Sequence, residues 1–202
     1  MSYNIYLVGV GGQGILTIGS LIAEAAEEKG LAVNFFPSKG MAQRGGFVKA
    51  QVRLGSPIGG PNIPEGRADL AIAMERSEAL KAVRYLKPGG DFVLYADVWA
   101  PTAVALGKAE YPTLPQVEAG LLAGQAKLHT LLPAQVPQQE TGGGRANLFI
   151  LGYVLAYTGL ADILDASQVE RMILYKWVKQ AQANSRAYQE GRSLGLQVKE
   201  SV

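Results

Sequence analysis

Gly9, Gly11 and Gly14 fall in the spacing G-x-G-x-x-G, with Gly12 and Gln13 completing the turn between them. Such residues make and break no bonds themselves. Glycine lets the main chain turn with positive φ and brings amide N–H groups close to an anion at a helix N-terminus. The chemistry this run supports is the holding of a phosphate or carboxylate. Catalytic partners are scarce beside it. The nucleophile elbow G-x-S-x-G is missing, and Ser20 and Ser56, which follow glycines, stand at no strand-to-helix turn. Cysteine is absent, which excludes disulfides, thiolate catalysis and a cysteine-ligated iron–sulfur cluster on this chain. A single histidine without cysteine leaves no expectation of a metal site. That residue, His129, sits in the apolar run from Leu128 to Leu132 with no acid near it in sequence, and reads as structural rather than as a general base.

A second group of polar residues, Gln43-Arg44-Gly45-Gly46, follows Lys39. Arginine offers a planar fork for phosphate or carboxylate, and paired glycines let the chain approach closely. The composition fits an anion or partner site, and equally an exposed arginine beside turn glycines. Glu75, at the end of an apolar run, either faces a crevice at a strand end or complements the dipole of a following helix. Asp69 opens the same run and reads as structural. Trp99 and Trp177 read as core or interface residues.

These residues must be positioned by an alternation of strands and helices. Tyr3 to Val10 is an apolar run rich in Ile, Leu and Val, and Ile15 to Ala26 carries helical apolar spacing up to a stop at Gly30. Leu31 to Phe36 is a second strand, so the first 36 residues predict a strand–helix–strand unit. A bound NAD requires an acid at the end of that second strand; here Pro37, Ser38 and Lys39 follow, and no carboxylate stands between Glu28 and Glu65. Lysine there suits a phosphate better than a diol. Phe47 to Leu54 alternates, with Phe47, Lys49, Gln51 and Arg53 on the polar side, which predicts a strand at a sheet edge or against another chain. Residues 55–67 read as loop.

Leu70 to Met74 predicts a buried strand, Ser77 the cap of a helix carrying Leu80, Val83 and Leu86, and Phe92 to Ala96 a further strand. Leu114 to Gly124 predicts a short helix and Lys127 to Leu132 a peripheral strand. After the polar, glycine-rich loop 138–145, Asn147 to Tyr157 is helical. Ser167 and Glu170 form a capping box for a last helix over about 166–190. The whole predicts one α/β domain over residues 1–202, Rossmann-like, with a mainly parallel central sheet and helices on both faces.

Composition narrows the function classes. With 18% charged and 48% hydrophobic residues, the sequence predicts surface covered by a partner. A formal charge of +2 with scattered basic residues gives no nucleic-acid footprint. The most apolar later stretch, Leu148 to Ala161, is shorter than the ~20 residues of a spanning helix, and no signal-peptide pattern opens the chain; both predict a cytoplasmic protein without a membrane anchor.

Two glycine motifs at this spacing, Gly9 to Gly14 and Gly40-Met41-Ala42-Gln43-Arg44-Gly45-Gly46, carry a family resemblance. Further matching stretches are Ile63 to Asp69, Leu86 to Gly90, Tyr111 to Leu114 and Asn147 to Gly152. Together they resemble the gamma subunit or domain of the 2-oxoacid:ferredoxin oxidoreductases and, within that family, the beta subunit of its indolepyruvate branch. The chain departs from that branch in carrying Lys39 where members often carry histidine. The resemblance implies a non-catalytic subunit whose larger catalytic partner binds thiamine diphosphate, Mg and iron–sulfur clusters. It implies a complex that converts a 2-oxoacid and coenzyme A to an acyl-CoA, carbon dioxide and reduced ferredoxin. It also implies that coenzyme A is shared between the subunits, with Gly9, Gly11, Gly12, Gln13, Gly14, Lys39, Gln43, Arg44, Gly45 and Gly46 lining the site or the subunit contact. The alternatives are the gamma subunit of a pyruvate, 2-oxoglutarate or arylglyoxylate enzyme, or a stand-alone dinucleotide-binding oxidoreductase.

Overall fold

The computed structural model describes residues 2–38, 46–56, 59–100, 104, 106–108, 110–136 and 145–201. A six-stranded sheet in the order β2-β3-β1-β4-β5-β6 organises them. The strands are β1 (Ser2–Val10), β2 (Val33–Ser38), β3 (Phe47–Gly55), β4 (Ala68–Ala73), β5 (Leu86–Tyr95) and β6 (Lys127–Leu131). The pairings β1–β4, β4–β5 and β5–β6 are parallel, whereas β3 runs antiparallel to both β1 and β2. Five strands therefore share one direction and β3 alone opposes them, in agreement with the expected mainly parallel α/β sheet.

The helices are α1 (Ile15–Glu28), the short α2 (Ala79–Ala82), α3 (Leu114–Ala123), α4 (Ala146–Tyr157), α5 (Ala166–Lys176) and α6 (Ala181–Glu200). They divide between the two faces, as the sheet's alternation requires. Ile5, Leu7, Ala50, Val52, Leu70, Ile72 and Val93 face the larger core with α1, α4, α5 and α6. Tyr6, Val8, Ala71, Ala73, Phe92 and Leu94 face the smaller one, with Ala79 and Ala82 of α2 and Val117 and Leu121 of α3. The α4 sequence is apolar on every side because the helix lies inside the larger core: all residues from Leu148 to Ala156 are buried.

Several sequence expectations are revised. The unit β1–α1–β2 is split, since β3 occupies the place beside β1 and pushes β2 to the sheet edge. β3 is consequently not an edge strand. Its polar side is buried because the following loop folds over it: Gln51 and Arg53 are 2% and 8% exposed. Gln51 Oε1 accepts the Ile63 amide, and Arg53 donates from Nη1 to the Gly60 carbonyl (2.7 Å) and from Nε to Asn4 Oδ1 (3.0 Å). Alternation shows which side of a strand is polar, not what covers it.

Ser77 caps no helix. Its hydroxyl donates to Glu75 Oε2 at 2.7 Å, α2 begins only at Ala79, and Leu86 already belongs to β5. The C-terminal region, expected as one helix over about 166–190, is two. α5 is capped by Asp165, whose Oδ1 accepts the Ser167 amide at 2.8 Å, not by a Ser167–Glu170 box. It ends at Trp177 (φ −129°, ψ 63°), and α6 runs on to Glu200. Glu170 instead accepts from Ser185 Oγ at 2.6 Å across the junction.

Candidate functional site

β1, β4 and β5 end together, and the chain leaves β1 toward α1 on one face while the elements after β4 pack on the other. A crevice at the C-terminal ends of strands is the expected ligand position where the winding reverses. The glycine turn occupies it. Gly12 has φ 108° and Gly14 has φ 79°, a left-handed conformation that a side chain adopts only with strain. Gly14 is the N-cap of α1 and, as glycine, brings no capping side chain of its own. Among the described residues, the amides of Gly12, Gly14, Ile15 and Leu16 donate to no partner. No acidic residue stands in the first turn of α1.

The amides of the remaining turn residues, Gly11 and Gln13, are engaged within the protein. The Gly11 amide donates to the Gly46 carbonyl at 2.8 Å and the Gln13 amide to the Val10 carbonyl at 3.2 Å. The Gln13 side chain is a brace. Its Oε1 accepts the Val10 amide at 3.0 Å, while Nε2 donates to the Met74 carbonyl at 2.6 Å and to Asp97 Oδ2 at 3.2 Å. One amide thus ties together the ends of β1, β4 and β5. Gly9 is small for the same reason, because a Cβ there would stand 2.8 Å from Gln13 Oε1.

Gly46 is joined to the turn through that one bond. Lys39, Gln43, Arg44 and Gly45 lie outside the described residues. The strand ends that flank them, Ser38 of β2 and Phe47 of β3, belong to the same end of the sheet as Val10.

Two hollows meet along Gly12 and Gly14. The first, about 400 Å³, is bounded by Val10, Gly11, Ile15, Leu16 and Val48, and faces the free amides. The second, about 430 Å³, is bounded by Gln13, Met74, Tyr95, Asp97, Trp99 and Asn147. Burial first, and then the Asp97 charge, push the Tyr95 phenol up to about 12, so it enters this hollow as a neutral hydroxyl. Asp97, Tyr95, Met74 and Asn147 were not singled out in the sequence as site residues. Asp97 had a readable signal in its position directly beyond an apolar strand. Asn147 had none, because α4 is brought to the turn by tertiary packing.

Glu75 settles the position of one wall. It is fully buried and accepts from Ser77 Oγ, from the Glu78 amide (2.9 Å), from the Trp99 amide (3.3 Å) and from the Tyr111 hydroxyl. Four donors surround one carboxylate, so Glu75 acts as a clasp rather than a crevice-facing acid. Burial, followed by this carboxylate, pushes the Tyr111 phenol up to about 12. Asp69 lies at the other end of β4, accepting from the Asn4 amide and from Lys87 Nζ (2.6 Å). His129 does have an acid beside it in space: Nε2 is 3.1 Å from Asp91 Oδ1, and the ring packs edge-on against Tyr157. The pair lies within β5 and β6, away from the glycine turn. Among the described residues, no helix is long and apolar enough to cross a membrane.

A model of the pyruvate ferredoxin/flavodoxin oxidoreductase family matches residues 4–194. The chain is similar to indolepyruvate oxidoreductase subunit IorB of Archaeoglobus fulgidus, 36% identical over 157 residues that make up 78% of each chain. It is similar also to the subunit of that name from Thermococcus kodakarensis, 44% identical over 116 residues, 57% of each chain. The matched stretch therefore spans little more than half of that second relative. Among solved structures, pyruvate oxidoreductase subunit PORC of Thermotoga maritima superposes with a TM-score of 0.71 at 21% identity, over 95% of this chain and 96% of that one. The 2-oxoglutarate:ferredoxin oxidoreductase of Magnetococcus marinus, solved with 2-oxoglutarate, coenzyme A and succinyl-CoA, superposes with a TM-score of 0.65 at 20% identity. That match covers 96% of this chain and 31% of that one. At these identities the likeness to the solved structures is one of fold.

Proposed function

Since the chain belongs to the pyruvate ferredoxin/flavodoxin oxidoreductase family, we propose that it is the non-catalytic subunit of a 2-oxoacid oxidoreductase that acts on indolepyruvate or a related aryl pyruvate. The observation that carries this reading is the 36–44% identity to subunits named for indolepyruvate. The enzyme's products are an acyl-CoA, carbon dioxide and reduced ferredoxin, and the complex is cytoplasmic. Thiamine diphosphate with Mg, and the iron–sulfur clusters, belong to a larger partner chain. With no cysteine in the sequence, this chain has no thiolate set to hold a cluster.

This chain's contribution is binding and shape. The open amides at Gly12 and Gly14 to Leu16, at the positive end of α1, suit the phosphates of coenzyme A. In this reading Lys39, Gln43, Arg44, Gly45 and Gly46 extend that surface toward the ligand or the partner. The Gln13 brace keeps the three strand ends in register, so the amides are fixed before a ligand arrives.

Purification of the complex from its native source tests the proposal. A larger chain carrying thiamine diphosphate and iron–sulfur clusters is expected to accompany this one, and the complex is expected to reduce ferredoxin with indolepyruvate in preference to pyruvate or 2-oxoglutarate. Turnover by this chain alone would overturn the assignment. Arg44→Ala is expected to raise the KM for coenzyme A or loosen the subunit pair without unfolding the chain.

A further inference from the structure

A hollow of about 530 Å³ opens at the end of the sheet opposite the glycine turn, where β1, β4 and β5 begin and β3 finishes. Its floor is apolar. Leu54 comes from β3, Leu31 from the segment between α1 and β2, Ile163 from just beyond α4, and the Tyr3 ring from β1. Burial first, then the Asp91 charge, hold the Tyr3 phenol above its usual value, and Asp69 and Asp162 add to the effect, so this wall is a neutral ring. The volume falls within the ~300–1,000 Å³ usual for small-ligand sites.

Four charges stand around this floor, and two of them already satisfy each other. Lys87 Nζ lies 2.6 Å from Asp69 Oδ1, and Asp69 Oδ2 accepts the Asn4 amide at 2.8 Å. The other two, Lys29 and Asp162, have no ion-pair partner among the described residues. Lys29 Nζ donates to the Ile163 carbonyl, which leaves donors on the ammonium. Asp162 directly precedes the residue that supplies this carbonyl, so a cation and an anion stand side by side without closing on each other. A Lys–Asp pair in water gains little by closing, and both groups stay available. An α-amino acid carries the complementary pair of charges on one carbon. We propose that this hollow binds a free α-amino acid with a large apolar side chain. Its carboxylate lies on Lys29, its ammonium on Asp162, and its side chain against Tyr3, Leu31, Leu54 and Ile163. The charges orient the ligand, while burial of its side chain supplies most of the affinity. The inference is independent of the coenzyme A reading, which concerns the other end of the sheet.

L-leucine is the probe, titrated into the full chain and followed by NMR chemical shifts, beside glycine, 3-methylbutylamine and 4-methylpentanoate. L-leucine is expected to bind about ten-fold or more tightly than glycine, which lacks the side chain. It is expected to bind more tightly also than the amine and the acid, each of which lacks one charge. Lys29→Met keeps the apolar stem and removes the ammonium, so the advantage of L-leucine over the amine disappears. Asp162→Asn removes its advantage over the acid in the same way. Both residues are exposed, and thermal unfolding near the wild-type midpoint shows that the variants have folded. L-leucine binding no tighter than glycine, or unchanged in both variants, overturns the site. So does binding to the free chain that vanishes when a partner subunit is added, because the hollow would then belong to the subunit contact.

Discussion

Gly191 on α6 lies against the Phe149 carbonyl on α4 so closely that a Cβ at residue 191 would stand 1.9 Å from the oxygen. Gly152 mirrors it from α4, where a Cβ would stand 2.0 Å from the Tyr188 carbonyl oxygen. The two helices meet backbone to backbone. Gly191→Ala is expected to destabilise the chain by about 3 kcal/mol or more, since main chain rather than a flexible side chain must give way. Urea unfolding of the variant measures it, and a loss under 1 kcal/mol would show that the seam has slack.

At the glycine turn the expected effects separate by position. A Cβ on Gly12 meets nothing within 4 Å, so Gly12→Ala bears mainly the cost of φ 108°, about 1 kcal/mol. Gly14→Ala adds a collision with Asn147 to its own positive φ. It is expected to lower stability by about 2 kcal/mol or more. Equal thermal shifts in the two variants would contradict this ordering.

Gln13 needs both halves of its amide, one to accept from Val10 and one to donate to Met74 and Asp97. Gln13→Glu replaces the donor with a carboxylate that faces a carbonyl and another carboxylate. A loss of about 2–4 kcal/mol at neutral pH is expected, easing as the pH falls and the new group takes up a proton. Chemical unfolding at neutral and mildly acidic pH checks both the size and the direction.

The Asp91 pair predicts an acid limb. Burial by itself raises the Asp91 carboxyl, but the His129 hydrogen bond, the Lys127 charge and the His129 charge outweigh it and hold the group below its usual value. A carboxyl depressed in the folded state contributes stability above its unfolded pKa of about 3.9, and loses it as the pH falls through the lower folded value. Asp91→Asn should therefore be less stable than wild type near neutrality, with the gap closing in acid. A gap independent of pH would mean that the charge on Asp91 is irrelevant to folding.

Glu75→Gln tests the clasp. The carboxylate receives four donors, and an amide nitrogen in its place would turn N–H groups toward some of them. A cost of about 2–3 kcal/mol is expected. A change in Trp99 emission measured on a Trp177→Phe background would accompany it, because the Trp99 amide is one of the donors. Unchanged emission would separate Glu75 from the placement of Trp99.

Much of this architecture was legible because local pattern and tertiary role agree. The apolar run of β1, the breaks at Gly12 and Gly14 and the amphipathic α1 each point to the same strand–turn–helix. What was not legible depends on distant partners. Gln51 and Arg53 look like solvent-facing residues until Asn62, Ile63 and Gly60 cover them. Asp91 and His129 are 38 residues apart and become neighbours only through the pairing of β5 with β6. Asn147 reaches the turn because α4 packs there, and no spacing within its own helix announces that. Trp177, which fits an apolar helical period, interrupts the helix because its backbone turns at the α5–α6 corner.

The reversed strand also decides which elements flank the turn. By inserting itself next to β1, β3 carries the tip of β2 two strand spacings away, ~10 Å. The tip that could have offered a sugar-reading acid is thus removed sideways and ends in Pro37 and Ser38. On the opposite flank, β4 and β5 bring Met74 and Asp97 to the same Gln13 amide. On the reading of the turn as an anion site, the groups that flank Gly12 are those of the β4–β5 half of the molecule, and the β2 tip stands apart from it.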